Sequence, residues 1–214
     1  MAVHSPPVHR SVRTGGILLI VAALQFLVVT IVSAQYYSNF SWATTHITSL
    51  GEPASPENLL FNASLVVFGL LAFGGFLLAW TAFPHGAARV GGLSLLLLSS
   101  LASIGVGLTP GVANNVHVAI AQLIFLPAAL GFLLLGWSMT PSSVWGRFRW
   151  FSVVLGILIV IAFAILFYTN YGWNQYPGAF GLLAIGPILL WEVVVGGYLA
   201  SLKIRAPRHL IPGV

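Results

Sequence analysis

The chain has 214 residues, of which 58% are apolar and only 5% charged, where a globular chain in water carries about 25% charged residues. Such a chain cannot cover itself with polar surface, and its mean hydropathy of +1.00 excludes a cytosolic enzyme, a nucleic-acid binder, a coiled coil and a disordered tail, leaving an integral membrane protein. The net charge of +5 comes from eight Lys and Arg against three acids. The basic residues form no long run, so they read as membrane topology and not as a nucleic-acid surface. With no cysteine in the chain, disulfides, thiolate metal sites, iron–sulfur ligation and thiol nucleophiles are excluded too.

Crossing about 30 Å of hydrocarbon takes about 20 apolar residues in a helix. Six runs of that kind are predicted: Gly15 to Ala34, Leu59 to Phe83, Ala88 to Leu108, His117 to Met139, Phe151 to Tyr171 and Phe180 to Leu202. The fold class is therefore all-α, a polytopic integral membrane protein built as a six-transmembrane-helix bundle. Residues 1–14 form a tail, residues 15–202 the membrane domain with a long loop at 35–58, and residues 203–214 a second tail. The first run follows Arg10 and Arg13 as a signal peptide would, but it is long enough to span and is read as an uncleaved first span. Gly74-Gly75 and Gly105 to Gly107 would let helices approach closely.

All eight basic residues fall at one end of these spans: Arg10 and Arg13, Arg89, Arg147 and Arg149, then Lys203, Arg205 and Arg208. The positive-inside rule then puts both the N and C termini in the cytoplasm and loop 35–58 outside. Trp80, Trp137, Trp145 and Trp150 are expected at the inner boundary. Trp42, Tyr36, Tyr37, Tyr171, Trp173 and Tyr176 are expected at the outer one, completing two aromatic belts. No repeat relates the first three spans to the last three, which weakens a transporter built from inverted repeats.

The loop reads His46-Ile47-Thr48-Ser49-Leu50-Gly51-Glu52-Pro53, then Ser55-Pro56-Glu57-Asn58, with Phe61-Asn62 opening the second span. An Ile-x-x-Leu-Gly turn, a Pro-containing spacer and a Phe-Asn pair resemble the prokaryotic family catalogued as domain of unknown function 998, and more distantly the FRAG and DRAM membrane proteins of eukaryotes. His117, Ala121 and Phe125, spaced i, i+4, i+8, continue the resemblance over nearly the whole chain. It implies a six-helix bundle in a bacterial or archaeal cell membrane and no particular reaction; the eukaryotic relatives imply lipid-related work. The chain departs from the family at Ser49, where an acid is common, and at Ala184-Ile185, where a Glu-Arg pair would stand.

Read from the residues, the loop and the neighbouring turns would gather His46, Ser49, Glu52, Glu57, Asn62, Asn114, Asn115 and His117 near the outer boundary. A hydrolase would use Ser49 as nucleophile, His46 or His117 as base and Glu57 to orient it, but no nucleophile-elbow motif is present. A metal site would use His46, His117 and a Glu, without a His-Glu-x-x-His signature. Haem is poorly served, because His46 lies in a loop, and no cofactor is expected. The plainer reading is that these groups cap helix ends and tie the loop down.

Glu192 lies about halfway along the sixth run, where insertion scales charge an ionisable group about 2.5 to 3.5 kcal/mol, so it is expected to face the bundle interior. Gln25, Ser99, Ser100 and Ser103 lie at comparable depth and are the candidate partners. They would form either a polar clasp or a proton- or substrate-binding site. The leading functional reading is a non-enzymatic membrane protein that binds lipids or another membrane protein. The alternatives are a lipid-directed enzyme at the outer boundary, using His46, Glu57 and His117, and a small-solute or proton-coupled transporter centred on Glu192.

Overall fold

Inside hydrocarbon each backbone N–H and C=O must be paired within its own segment, so an apolar run of this length has helix as its only open form. The computed structural model describes residues 10–109, 115–141, 143–169 and 176–202, with only the backbone of 115–118 and 167–169. Six helices follow in order: α1 (Arg10–Tyr36), α2 (Asn58–Ala79), α3 (Ala87–Leu108), α4 (Asn115–Ser138), α5 (Gly146–Thr169) and α6 (Pro177–Ser201), with no strand among the described residues. All six are long and apolar enough to cross a membrane. Short 3-10 turns occupy Ile47–Gly51 in the first loop and Trp80–Ala82 after α2.

The helices start before the predicted apolar stretches, while α2 stops at Ala79, short of the predicted Phe83, where the turn at Trp80–Ala82 takes over. α1 starts at Arg10 instead of Gly15 and α5 at Gly146 instead of Phe151. Helical hydrogen bonding continues beyond the hydrocarbon edge, so Arg10, Arg13, Arg147 and Arg149 ride on first turns and can extend their charges towards water.

Each helix packs on its neighbours in sequence, and α1 also packs on α6, which closes a ring of six. Successive helices alternate in direction. α1, α3 and α5 therefore start at the end carrying Arg10, Arg89 and Arg147, here the basic end, and the first loop lies at the other, the loop end.

Ring closure is tight where α1 meets α6. A Cβ on Gly16 would stand 2.5 Å from the Gly196 carbonyl oxygen and 2.7 Å from the Ala200 nitrogen, so α1 and α6 touch backbone to backbone there. Because lipid tails are as apolar as leucine, such close van der Waals contact is what holds membrane helices together. Outside the ring, Val28, Leu70 and Val154 are exposed and face lipid.

The first loop behaves as a strap. Asn62 Nδ2 donates to the Gly51 carbonyl at 2.8 Å, Leu50 is fully buried, and the Gly178 and Ala179 amides donate to the Ala43 carbonyl at 3.0 and 3.1 Å. These last two amides lie in the first turn of α6, where helix donors have no intrahelical acceptor. The strap therefore ties α2 to α6 across the end of α1.

The aromatic belts need one correction. Trp137 and Trp150 are well exposed, as are Tyr36, Trp42 and Tyr176, but Trp145 is only 5% exposed. Its indole Nε1 donates to the Ala82 carbonyl at 2.8 Å and its ring stacks on Phe83 at 4.7 Å. An indole with a protein acceptor and a ring partner has no need of the interface. Tyr171 and Trp173 lie outside the described residues, as do Lys203, Arg205 and Arg208.

Candidate functional site

Glu192 is 2% exposed on α6 and points between α2, α3 and α4. It borders a cavity of about 10 Å³, walled by Phe68 and Phe76 of α2, Ser99 and Ser100 of α3, and Phe132 of α4. Its Oε2 is buried with no hydrogen-bond partner among the described residues. An unpartnered buried polar atom normally costs about 1 to 3 kcal/mol, so its presence calls for an explanation.

The neighbouring Trp191 sets the direction of the carboxyl. Adjacent helix residues point about 100° apart, so fixing Trp191 fixes Glu192. Trp191 is fully buried, donates its Nε1–H to Ser152 Oγ on α5 at 2.9 Å, and stacks on Phe132 at 4.7 Å. Pro187, five residues earlier, has no N–H to give the Leu183 carbonyl, so α6 lacks one helix bond there.

The predicted partners divide. Ser99 and Ser100 share the cavity with Glu192, yet their protons go elsewhere: Ser99 Oγ donates to the Ile124 carbonyl at 2.7 Å and Ser100 Oγ to the Leu96 carbonyl at 2.8 Å. Ile124 lies in the α4 turn just before Pro127, and the Ser99 bond ties α3 to α4 there. Ser103 donates to the Ser99 carbonyl at 3.1 Å. Gln25 turns to α2 instead: its Nε2 donates to the Ser64 carbonyl at 3.1 Å and its Oε1 accepts from Ser64 Oγ at 2.9 Å. No hydrogen bond joins any of the four to Glu192 among the described residues. Ser64 and Ser152 were not singled out from sequence. Ser64 had only its depth to suggest it, whereas Trp191 at mid-span, far from an interface, was a sign that an acceptor for its N–H must exist.

Both ends of the ring are closed. Towards the basic end Trp191, Phe83 and Trp145 form a stack, with Phe83 6.2 Å from Trp191 and 4.7 Å from Trp145, and Tyr198 meets Trp145 edge-on at 5.2 Å. Phe83 and Trp145 come from two connecting segments and reach inward. Towards the loop end Phe26 packs on Phe61 and Phe68 at 5.8 and 5.3 Å, below buried Leu50. The carboxyl is thus occluded from both faces.

The strap residues make a different set. Ser49 Oγ donates to Glu52 Oε1 at 3.0 Å, so its proton is directed to a carboxylate and not to an imidazole. Partial burial lowers the pKa of the His46 imidazole from its ordinary value, while the charge of Glu52 acts in the opposite sense. Glu57 stands at the N-cap of α2 without a side-chain capping bond. The acid beside Ser49 and His46 is therefore Glu52, not the Glu57 that the hydrolase reading requires. Among the described residues no three His, Asp or Glu side chains converge on a point that would hold a metal. The side chain of His117 and residue Asn114 lie outside the described residues, as does the side chain of Asn115.

A family model described as a protein of unknown function, DUF998, matches residues 20–198. The chain belongs to the DUF998 family. Nothing among curated proteins or solved structures matches it. The DUF998 match takes in the strap, the Gln25–Ser64 pair, the cavity and Glu192. It begins after Arg10 and Arg13 and ends before the last residues of α6.

Proposed function

We propose that this DUF998 protein is a proton-linked, non-enzymatic membrane protein whose activity depends on reversible protonation of Glu192. The observation that carries the reading is Glu192 Oε2, buried inside the ring beside a small cavity and without a partner. A polar clasp would give that oxygen a donor, and the side chains at its depth direct theirs to other acceptors. Intramembrane carboxylates are costly and commonly serve proton relays. A cavity this small has no room for a larger solute, which favours proton exchange over solute passage.

The test uses dicyclohexylcarbodiimide, an apolar reagent that adds to a protonated carboxyl group and increases the peptide mass by its own mass. The full-length protein in membranes should be modified at Glu192, with a yield that falls as pH is raised. Of the three glutamates, a water-soluble carbodiimide should reach only Glu52 and Glu57. Glu192→Gln should fold and lose the modification. No modification of Glu192 at any pH would overturn the proposal.

Lipid binding is the second reading, supported by the basic end. Arg10, Arg13, Arg89, Arg147 and Arg149 lie on or near the first turns of α1, α3 and α5, and the three acids of the chain are Glu52, Glu57 and Glu192, none at that end. Arg89 Nε is buried without a hydrogen-bond partner. Anionic headgroups of a cytoplasmic leaflet would complement this end, with the protein in a bacterial or archaeal cell membrane. Native mass spectrometry should find anionic lipid retained by the protein and released on joint Arg89→Gln and Arg147→Gln substitution. Equal retention by that variant would remove this reading.

A further inference from the structure

We infer that the cavity beside Glu192 binds a single water molecule, held between Oε2 and the hydroxyl oxygens of Ser99 and Ser100; this rests on the proton-linked reading above and names the ligand of that site. A water needs a cavity of about 10 to 15 Å³ and two to four polar partners. The cavity measures about 10 Å³ and is bordered by Glu192, Ser99 and Ser100, its remaining wall being apolar. A metal cation would need about six oxygen ligands and has too few here.

The direction of each hydrogen bond selects water. Ser99 and Ser100 have committed their protons to the Ile124 and Leu96 carbonyls, so towards the cavity each presents lone pairs only. A hydroxyl in that state can accept but not donate. It would serve the protonated acid and fail the carboxylate. A water serves both. It accepts from the acid and donates to the two serine oxygens; when Glu192 is ionised, it turns one O–H towards Oε2 and keeps the other on a serine. The site can therefore lose or gain a proton without rearranging the side chains around it. Phe68, Phe76 and Phe132 line the cavity with aromatic rings that offer a water no strong hydrogen-bond partner.

The experiment is infrared spectroscopy of the full-length protein in lipid nanodiscs, with the carboxyl C=O band of Glu192 assigned by its loss in Glu192→Gln. Ala128→Val adds two methyl groups to a fully buried residue of the cavity wall. It should move the band to higher frequency, as a lost hydrogen bond does, and slow its exchange in D₂O about tenfold, the factor that about 1.4 kcal/mol of lost hydrogen bonding corresponds to. Ser100→Ala removes one acceptor without filling the space and should shift the band the same way by less; it also serves if Ala128→Val does not fold. A titrating Glu192 band unchanged in both variants would overturn the bound water and leave the proton-linked reading standing. A Glu192 band that does not titrate at all would overturn both.

Discussion

The Trp191 indole nitrogen donates to Ser152 Oγ at 2.9 Å, and both residues are fully inaccessible to solvent. This bond fixes the rotation of α6 against α5 at the level of Glu192, because the next residue along a helix points about 100° away. Ser152→Ala leaves a buried indole N–H without an acceptor and should cost about 1 to 3 kcal/mol. Thermal unfolding in mild detergent measures this, and the same variant should alter the carbodiimide reactivity of Glu192. An unchanged midpoint together with unchanged reactivity would show that the bond does not orient α6.

The glycines of α1 and α6 are not equivalent. A Cβ on Gly197 meets nothing within 4 Å, whereas one on Gly16 of the facing helix meets the Gly196 carbonyl at 2.5 Å. Gly197→Ala should be neutral or stabilising by up to about 1 kcal/mol, since alanine is the better helix former. Gly16→Ala should destabilise by about 1 to 3 kcal/mol through overpacking against backbone that cannot yield. Equal unfolding midpoints for the two variants would show that α1 and α6 do not meet in this way.

Asn62 anchors the strap through the Gly51 carbonyl, and a Cβ on Gly51 would collide with the Asn62 side chain. Asn62→Ala should cost about 1 to 2 kcal/mol and speed limited proteolysis at exposed Pro53 and Ala54. Cleavage no faster than in the parent protein would mean that the Ala43 contacts to α6 hold the strap alone.

Orientation can be tested without background, because the chain contains no cysteine. Ala54→Cys, exposed on the strap, should react with a membrane-impermeant maleimide added to intact cells. Reaction only after lysis would place the basic end outside.

Sequence alone determined the six helices, because hydrocarbon leaves an apolar run of twenty residues no other way to pair its backbone. It also determined the inward direction of Glu192, since a lipid-facing carboxyl is disfavoured and the side chain is buried inside the ring. The departures at Arg10 and Gly146 are departures at the ends, where the bilayer no longer dictates conformation. What sequence withheld is rotation about each helix axis. In water an apolar stripe marks the inner face, but here lipid and core are equally apolar, so hydropathy carries little sign of which face is which. Gln25 and Glu192 match in depth, yet only the packing of α1 on α2 turned Gln25 towards Ser64. Trp145 fits an interfacial belt by position, and only the approach of two connecting segments buried it against Phe83 and the Ala82 carbonyl. The strap was legible as a long polar loop next to hydrocarbon that had to find partners; that Gly51 meets Asn62 and Ala43 meets α6 was settled by closure of the ring, which brings the ends of α1, α2 and α6 within hydrogen-bonding reach.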